Sequence, residues 1–136
     1  MTNLPSSLGA VIGFGLDAVE LDDFSRLLSE PASNFLSRYF TQQELETAGN
    51  GPNKGERLAG RFAVKEAVMK ALGVGLGDGV AFYDVEVITK SSGAPSVELH
   101  RSLEAIASER RVCNWLITIT HTKRTAIAGA IALRET

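Results

Sequence analysis

The stretch from Arg57 to Gly73 constrains the fold more than any other part of the chain. It is rich in Ala, Leu, Arg, Lys, Glu and Met, which favour helix, and glycine is a typical residue at a helix C-terminus. We therefore predict a long helix from about Glu56 to Leu72. At about 100° per residue, six apolar side chains cover one broad face of this helix. They are Leu58, Phe62, Val64, Val68, Met69 and Leu72.

Three charged residues depart from the pattern of an ordinary amphipathic helix. Lys65 falls in the middle of the apolar face, where a charge without a partner costs free energy. Glu66 and Lys70 lie one turn apart at the edge of that face, beside the small residues Ala59 and Ala63. Lys65 could extend past its neighbours to solvent, and Glu66 and Lys70 could form a surface pair worth little. The helix alone leaves both interpretations open.

The flanking segments predict an α+β fold, in which a small antiparallel sheet packs with one long and several short helices. A chain of this length predicts a single domain over residues 1–136, with a flexible tail at residues 1–8. The remaining predicted elements follow in chain order. They are a strand over 9–17, a helix capped by Asp22 or Asp23 and ending near Ser29, a helical stretch from Pro31, a short helix after the capping box Thr41–Glu44, a loop over 49–55, a glycine-rich segment over 73–79, strands over 82–88 and up to Leu99, a helix over 102–110, and two final strands joined at 122–124.

Two further segments carry candidate functional residues. In the first predicted strand, Gly13 and Gly15 precede Asp17. Glycines in a strand let another backbone or a ligand approach closely. Near the C-terminus, His121 lies where a predicted buried strand opens into a turn.

In order and spacing, these segments resemble the holo-acyl-carrier-protein synthases, a family of small phosphopantetheinyl transferases. The family pattern has a Gly-x-Gly-x-Asp segment, an Arg-Phe/Trp-x-x-Lys-Glu-Ala helix with a Lys four residues after the Glu, and a Ser-x-Thr-His-Thr segment. This chain matches with Gly13–Asp17, Arg61–Lys70 and Thr120–Thr122, and it has Thr118 where the family has Ser. The resemblance covers nearly the whole chain and implies the phosphopantetheinyl-transferase fold.

The resemblance implies a magnesium-dependent reaction that moves 4′-phosphopantetheine from coenzyme A to a serine of an apo acyl carrier protein and releases adenosine 3′,5′-bisphosphate. It assigns magnesium to Asp17 and Glu66 and catalysis to Glu66 and Lys70. Whether Glu66 or a magnesium-bound water takes the serine proton stays open. The residues implied to bind coenzyme A are Arg61, Lys65, Lys70, Gly73, Gly75, Thr120, His121 and Thr122. Lys65 could instead hold the edge of the core.

The resemblance also implies partners. Family members are homotrimers with active sites at subunit interfaces, and the apolar strand Ala126–Leu133 fits burial in such an interface or in an ordinary core. In members that serve small acidic carriers, the helix after the Asp motif is usually basic. Here that helix carries Glu20, Asp22 and Asp23 but only Arg26. We therefore expect a carrier domain integrated in a large type I fatty-acid synthase rather than a small acidic carrier.

Composition limits the alternatives. A net charge of −2 argues against a nucleic-acid binder. The single Cys113 predicts a buried small side chain rather than a nucleophile, and one Cys with two His disfavours zinc. Residues 1–10 do not resemble a signal peptide and no apolar run would span a membrane, so we expect a cytoplasmic protein without a membrane partner. Two alternatives remain, a non-catalytic module that binds coenzyme A or docks a carrier, and a different phosphotransfer or nucleotide-hydrolysing enzyme.

Overall fold

The computed structural model describes residues 10–29 and 35–135. Within these ranges the elements combine helices with short antiparallel strands, as the sequence predicted. In chain order they are β1 (Val11–Glu20), α1 (Leu21–Leu28), α2 (Phe35–Tyr39), α3 (Gln42–Ala48), α4 (Lys54–Leu72), β2 (Val85–Thr89), β3 (Pro95–Leu99), α5 (Arg101–Glu109), β4 (Asn114–His121) and β5 (Thr125–Leu133). The predicted tail at 1–8 and the predicted helix start at Pro31 lie outside the described residues.

The sheets are small and antiparallel. One sheet has the strand order β1-β5-β4, and the other is the hairpin of β2 and β3. In the first sheet Asp17 of β1 lies opposite Ala128 of β5, and His121 of β4 lies opposite Ala126. This register places both candidate residues near the same end of the sheet.

The long helix α4 packs against the first sheet and supplies much of the core. Its apolar side chains are buried, including Leu58, Val64, Val68 and Leu72. The helix begins two residues earlier than predicted and ends at Leu72, followed by Gly73 with φ 68° in the left-handed region. The predicted C-terminal stop at Gly73 is therefore confirmed, since glycine adopts this conformation without steric cost.

Two glycines bring β1 into direct contact with the backbone of α4. A Cβ atom on Gly13 would lie 1.8 Å from the carbonyl oxygen of Ala71, and one on Gly15 would lie 1.8 Å from that of Ala67. Both distances are far below any van der Waals contact, so only glycine fits. The glycines predicted that another backbone or a ligand comes close to β1, and the structure shows that it is the backbone of α4. This contact places Asp17 beside the C-terminal half of α4.

Of the two helix caps predicted from the sequence, one is present and the other is not. The predicted capping box is present, because the Thr41 amide donates to Glu44 Oε1 and the Glu44 amide donates to Thr41 Oγ1. The prediction that Asp22 or Asp23 caps α1 is wrong, since Glu20 holds the N-cap position and makes no side-chain cap bond. The two aspartates lie in the first turn, where their charge still favours the helix dipole.

Three other predictions need correction. The segment Phe82–Asp84 forms a 3₁₀ turn before β2 rather than the start of a strand. Cys113 is exposed rather than buried. The strand β4 lies at one edge of its sheet and alternates between exposed and half-buried residues, so His121 ends a half-exposed strand and not a buried one. In the described part of the chain, no helix has the length and apolar character needed to cross a bilayer.

Candidate active site

The structure brings Asp17, Glu66 and Lys70 together where β1 crosses α4. The Lys70 ammonium donates to Asp17 Oδ1 at 3.1 Å and to the Leu16 carbonyl at 3.0 Å. Asp17 is largely shielded, with 15% of its side chain exposed, whereas 53% of the Lys70 side chain is exposed. Lys70 is thus an exposed cation paired with a largely buried carboxylate.

Glu66 shares this environment. Its pKa is raised above the ordinary value, first by burial and then by the negative charge of Asp17, while Lys70 opposes the shift. Two carboxylates therefore repel each other with one ammonium nearby, an arrangement that favours a bound cation or a retained proton.

The donor set fits magnesium. In the ranges 10–29 and 35–135, no group of three or more His, Cys, Asp and Glu side chains could hold a metal ion. Magnesium does not require such a cage, because it commonly keeps several waters and binds one or two carboxylates together with phosphate oxygens. Asp17 and Glu66 are hard oxygen donors of that kind, and their mutual repulsion would fall when a divalent cation binds.

A separate cleft lies toward the N-terminal half of α4. Its volume is about 270 Å³. Its lining comprises Asn53, Glu56, Arg57, Gly60, Arg61, Ile119 and His121. The cleft thus unites two sequence-predicted residues, Arg61 and His121, which are sixty positions apart.

Arg61 and His121 are held differently in this cleft. The Arg61 guanidinium donates to the Arg57 carbonyl at 3.1 Å, and its Nε is buried with no hydrogen-bond partner among the described residues. Burial, with a smaller contribution from Arg57, lowers the pKa of Arg61, while Glu44 opposes the shift. His121 Nδ1 lies 2.7 Å from Glu56 Oε1 and 3.3 Å from the Thr122 carbonyl oxygen. A guanidinium and an imidazole that line the same cleft are suited to an anionic oxygen.

Lys65 does not reach either group of residues. Its side chain is fully buried, and its ammonium donates to Glu44 Oε1 at 2.7 Å and to the carbonyl oxygens of Phe82 and Val85. Burial lowers the pKa of Lys65, and the charge and hydrogen bond of Glu44 oppose that shift. The assignment of Lys65 to coenzyme A binding is therefore corrected, because all its hydrogen-bond donors point into the core.

The other predicted binding residues occupy the ends of elements. Gly73 caps α4, and the Gly75 amide donates to Asp78 Oδ2 at 2.8 Å, so that amide is already engaged. Thr122 Oγ1 accepts from the amides of Arg124 and Thr125 and so shapes the β4–β5 turn. Thr120 is exposed on β4. None of these contacts excludes a bound nucleotide, but Gly75 and Thr122 have structural roles of their own.

Two carboxylates make long-range contacts that the sequence did not predict, Glu44 in the core and Glu56 in the cleft. The sequence predicts only a capping box for Glu44, yet its carboxylate also pairs with Lys65 and accepts from the Val87 amide at 2.8 Å. For Glu56, the contact of His121, the sequence predicts only the start of the helix. A buried Lys in an apolar stripe signals that a partner exists, but the sequence does not say which distant carboxylate it is.

Comparison with known proteins identifies the family of this chain. The family profile of the 4′-phosphopantetheinyl transferase superfamily matches residues 13–128. A holo-[acyl-carrier-protein] synthase from Alkaliphilus oremlandii is 37% identical over 121 residues, which cover 89% of this chain and 98% of that protein.

Solved structures give the same result. A holo-(acyl-carrier-protein) synthase from Bacillus anthracis, in complex with CoA (3′,5′-ADP), is 30% identical with a TM-score of 0.76, covering 93% of this chain and 99% of that one. The holo-[acyl-carrier-protein] synthase from Neisseria meningitidis is 27% identical, with a TM-score of 0.82. The match covers 91% of this chain and 99% of that one.

The chain belongs to the 4′-phosphopantetheinyl transferase superfamily. Within that superfamily it groups with the holo-[acyl-carrier-protein] synthases, so it is an enzyme, a phosphopantetheinyl transferase.

Proposed function

We propose that the protein transfers 4′-phosphopantetheine from coenzyme A to a serine of an apo acyl carrier protein, with release of adenosine 3′,5′-bisphosphate. The serine oxygen forms the new bond to the phosphorus next to the pantetheine arm, and the bond from that phosphorus to the pyrophosphate oxygen breaks. The observation that carries this proposal is the cluster of Asp17, Glu66 and Lys70, where two repelling carboxylates share one exposed ammonium.

Asp17 and Glu66 are the residues that would hold magnesium. When bound, the ion would neutralise charge on the pyrophosphate, which is where phosphoryl transfer needs it. The serine proton would pass to the Glu66 carboxylate or to water.

Lys70 would supply a positive charge to the substrate. Its ammonium is held by one carbonyl and one carboxylate, and more than half of the side chain is exposed. An exposed lysine on its long stem can turn toward a phosphate oxygen without unpacking the core. Positioning and charge neutralisation of this sort supply much of the rate enhancement in phosphoryl transfer.

The cleft at the N-terminal half of α4 would hold phosphate groups of coenzyme A. Its supports are the guanidinium of Arg61 and the imidazole of His121, which both line it. Glu56 and Arg61 of the cleft lie ten and five residues before Glu66, so they are about 15 Å and about 8 Å from it along the helix axis. That separation suits an extended ligand that carries phosphates at one end and a reactive pyrophosphate further along.

The test of this function is the intact mass of an apo carrier protein incubated with this protein, coenzyme A and magnesium. We expect the carrier to gain the mass of one phosphopantetheine group, and substitution of its acceptor serine by alanine to abolish the gain. A carrier that stays unmodified, whether it is a free protein or an integrated domain, would contradict the proposal.

We further propose that the enzyme is a homotrimer. The support is an apolar row on the sheet face away from α4, in which Phe14, Ile131 and Leu116 lie opposite one another on three adjacent strands. Phe14 is 63% exposed and Leu116 is 54% exposed, and neighbouring Leu16 is 55% exposed. Exposed apolar side chains gathered on one face are typical of subunit interfaces.

The oligomeric state is tested by light scattering during gel filtration. Phe14→Asp should lower the mass from that of three chains to that of one, since a charge would be buried at the interface. Leu27→Asp, at an exposed leucine on α1, is the matched control and should leave the mass unchanged. A wild-type protein with the mass of one chain would contradict the proposal.

The carrier forms the last part of the proposal. Asp22 and Asp23 are exposed on α1, and the exposed Asp23 carboxylate pairs with Arg26 at 2.7 Å. The basic side chain is thus partly neutralised within its own helix. This acidic surface supports a carrier domain of a type I fatty-acid synthase as the substrate, and with it a role in cytoplasmic fatty-acid synthesis.

A further inference from the structure

The cleft at the N-terminal half of α4 contains a second arginine, to which the family resemblance gives no role. Arg57 lies one helical turn before Arg61, and both line the cleft. Arg57 also lies nine positions before Glu66, so the two are about 14 Å apart along the helix axis. A ligand group that Arg57 binds is therefore remote from the reacting phosphorus.

The two guanidinium groups repel each other, since like charges four residues apart on a helix are unfavourable. Burial lowers the pKa of Arg61 and the charge of Arg57 lowers it further, while Glu44 opposes both. The acidic residue of the lining, Glu56, does not offset them, because its carboxylate contacts His121 at 2.7 Å. Two cations that repel each other in one cleft favour a ligand group with two negative charges.

The hydrogen bonds of the two side chains go to neutral oxygens. Arg61 donates to the Arg57 carbonyl at 3.1 Å and to the Thr89 hydroxyl at 3.4 Å. Arg57 is exposed, and within residues 10–29 and 35–135 its side chain makes one hydrogen bond, from Nη1 to the Ala48 carbonyl at 3.3 Å. Because a guanidinium has five N–H donors, most of those on Arg57 remain available to a ligand.

We propose that Arg57 is a ligand-binding residue that, together with Arg61, makes the cleft selective for a phosphomonoester. Such a group carries a charge of about −1.5 to −2 at neutral pH. Coenzyme A has one phosphomonoester, its 3′-phosphate, whereas each phosphate of its pyrophosphate link carries a single charge. This inference rests on the proposed function and adds to it the kind of phosphate that the cleft prefers.

A simpler role for Arg57 would be to tie the end of α3 to α4 through the Ala48 carbonyl. That role predicts a lower melting temperature for Arg57→Gln and an equal effect on all ligands. The ligand-binding role predicts a loss of affinity only for ligands that carry the phosphomonoester. A comparison of two ligands therefore separates the two roles.

The first experiment titrates coenzyme A and 3′-dephospho-coenzyme A into the full-length protein by calorimetry, with magnesium present. In Arg57→Gln the affinity for coenzyme A should fall about tenfold, because a charge-assisted hydrogen bond is lost. The affinity for the dephospho form should stay within about twofold of wild type, since the partner of Arg57 is already absent. Arg57→Lys keeps the charge without the planar fork and should lose less than Arg57→Gln.

The matched control is Arg38→Gln, which removes an equal charge at an exposed position of α2 outside the cleft lining. It should bind both ligands as the wild type does. An equal loss for both ligands in Arg57→Gln, or no loss for coenzyme A, would overturn the proposal.

The second experiment measures initial rates of transfer. The effect of Arg57→Gln should appear as a rise of about tenfold in the KM for coenzyme A rather than in kcat, because the bound phosphate does not react. Higher salt should raise the wild-type KM toward that of the variant. A lower melting temperature with an unchanged KM would overturn the proposal. Failure of the proposed function would look different, because the wild-type protein would then bind neither form of coenzyme A and modify no carrier.

Discussion

At the scale of single residues, burial and the charge of Asp17 disfavour the ionised form of Glu66. A bound cation would remove this penalty. The pKa of Glu66 is raised in the folded protein by burial and by Asp17. A raised folded-state pKa means that the stabilisation from Glu66 is complete below its unfolded pKa and is lost as the pH rises through the folded value. At neutral pH the metal-free protein is thus less stable than it would be with a neutral side chain at this position.

Glu66→Gln should therefore raise the melting temperature of the metal-free protein at neutral pH. Magnesium should raise the melting temperature of the wild type and have little effect on Glu66→Gln or Asp17→Asn. Differential scanning fluorimetry with and without magnesium measures both effects. An equal response to magnesium in all three proteins would place the metal elsewhere.

The buried pair of Lys65 and Glu44 contributes to the stability of the fold and not to the candidate active site. Removing one member leaves the other charge buried without its partner, so Lys65→Met should cost about 3–5 kcal/mol of unfolding free energy. The double variant Lys65→Met, Glu44→Gln should recover part of that loss, because the remaining amide is neutral. Urea denaturation measures both. A single variant as stable as the wild type would show that the pair contributes nothing.

At the scale of elements, the contact between β1 and α4 positions the site. Gly13→Ala or Gly15→Ala would drive a Cβ into a helix carbonyl, and we expect a loss of about 3 kcal/mol in unfolding free energy together with lower transfer activity. Both effects follow from strand and helix moving apart, which separates Asp17 from Glu66. Gly51→Ala is the control, because nothing lies within 4 Å of its added Cβ. Normal activity and stability in Gly15→Ala would contradict this account.

Elements with strong local signals were predictable from the sequence. The helix α4 and the capping box at Thr41 depend on residues within one or two turns, and both are confirmed. The 3₁₀ turn at Phe82–Asp84 was mistaken for strand because its apolar residues alternate with polar ones. Its Ala81 amide is in fact capped by Asp84 Oδ2, a contact that alternation does not reveal.

The candidate site was predictable in part. Asp17, Glu66 and Lys70 came from the family resemblance, and the structure places them together. The resemblance assigned Lys65 to coenzyme A or to the edge of the core, and its burial depends on Glu44, which is 21 positions away. Contacts between distant segments of this kind, including that of Glu56 with His121, follow from tertiary packing and leave no local pattern.

At the scale of the whole molecule, the surface charge of α1 bears on the carrier. A small acidic carrier would meet like charge at Asp22 and Asp23, which slows encounter. We expect faster transfer to an integrated carrier domain than to a free acidic carrier, and a smaller difference at high salt, where screening weakens the repulsion. Initial rates at low and high salt measure this. A free carrier modified at least as fast at low salt, with a rate that falls as salt rises, would contradict the expectation.

The central claim is that the paired carboxylates of Asp17 and Glu66 form the catalytic centre. The most direct test is the initial rate of phosphopantetheine transfer by Glu66→Gln, compared with wild type and with the surface control Glu109→Gln at saturating coenzyme A and magnesium. We predict a loss of at least about a thousandfold for Glu66→Gln, with its melting transition retained and the control unaffected. A folded Glu66→Gln enzyme that keeps a rate within a few-fold of wild type would contradict the claim.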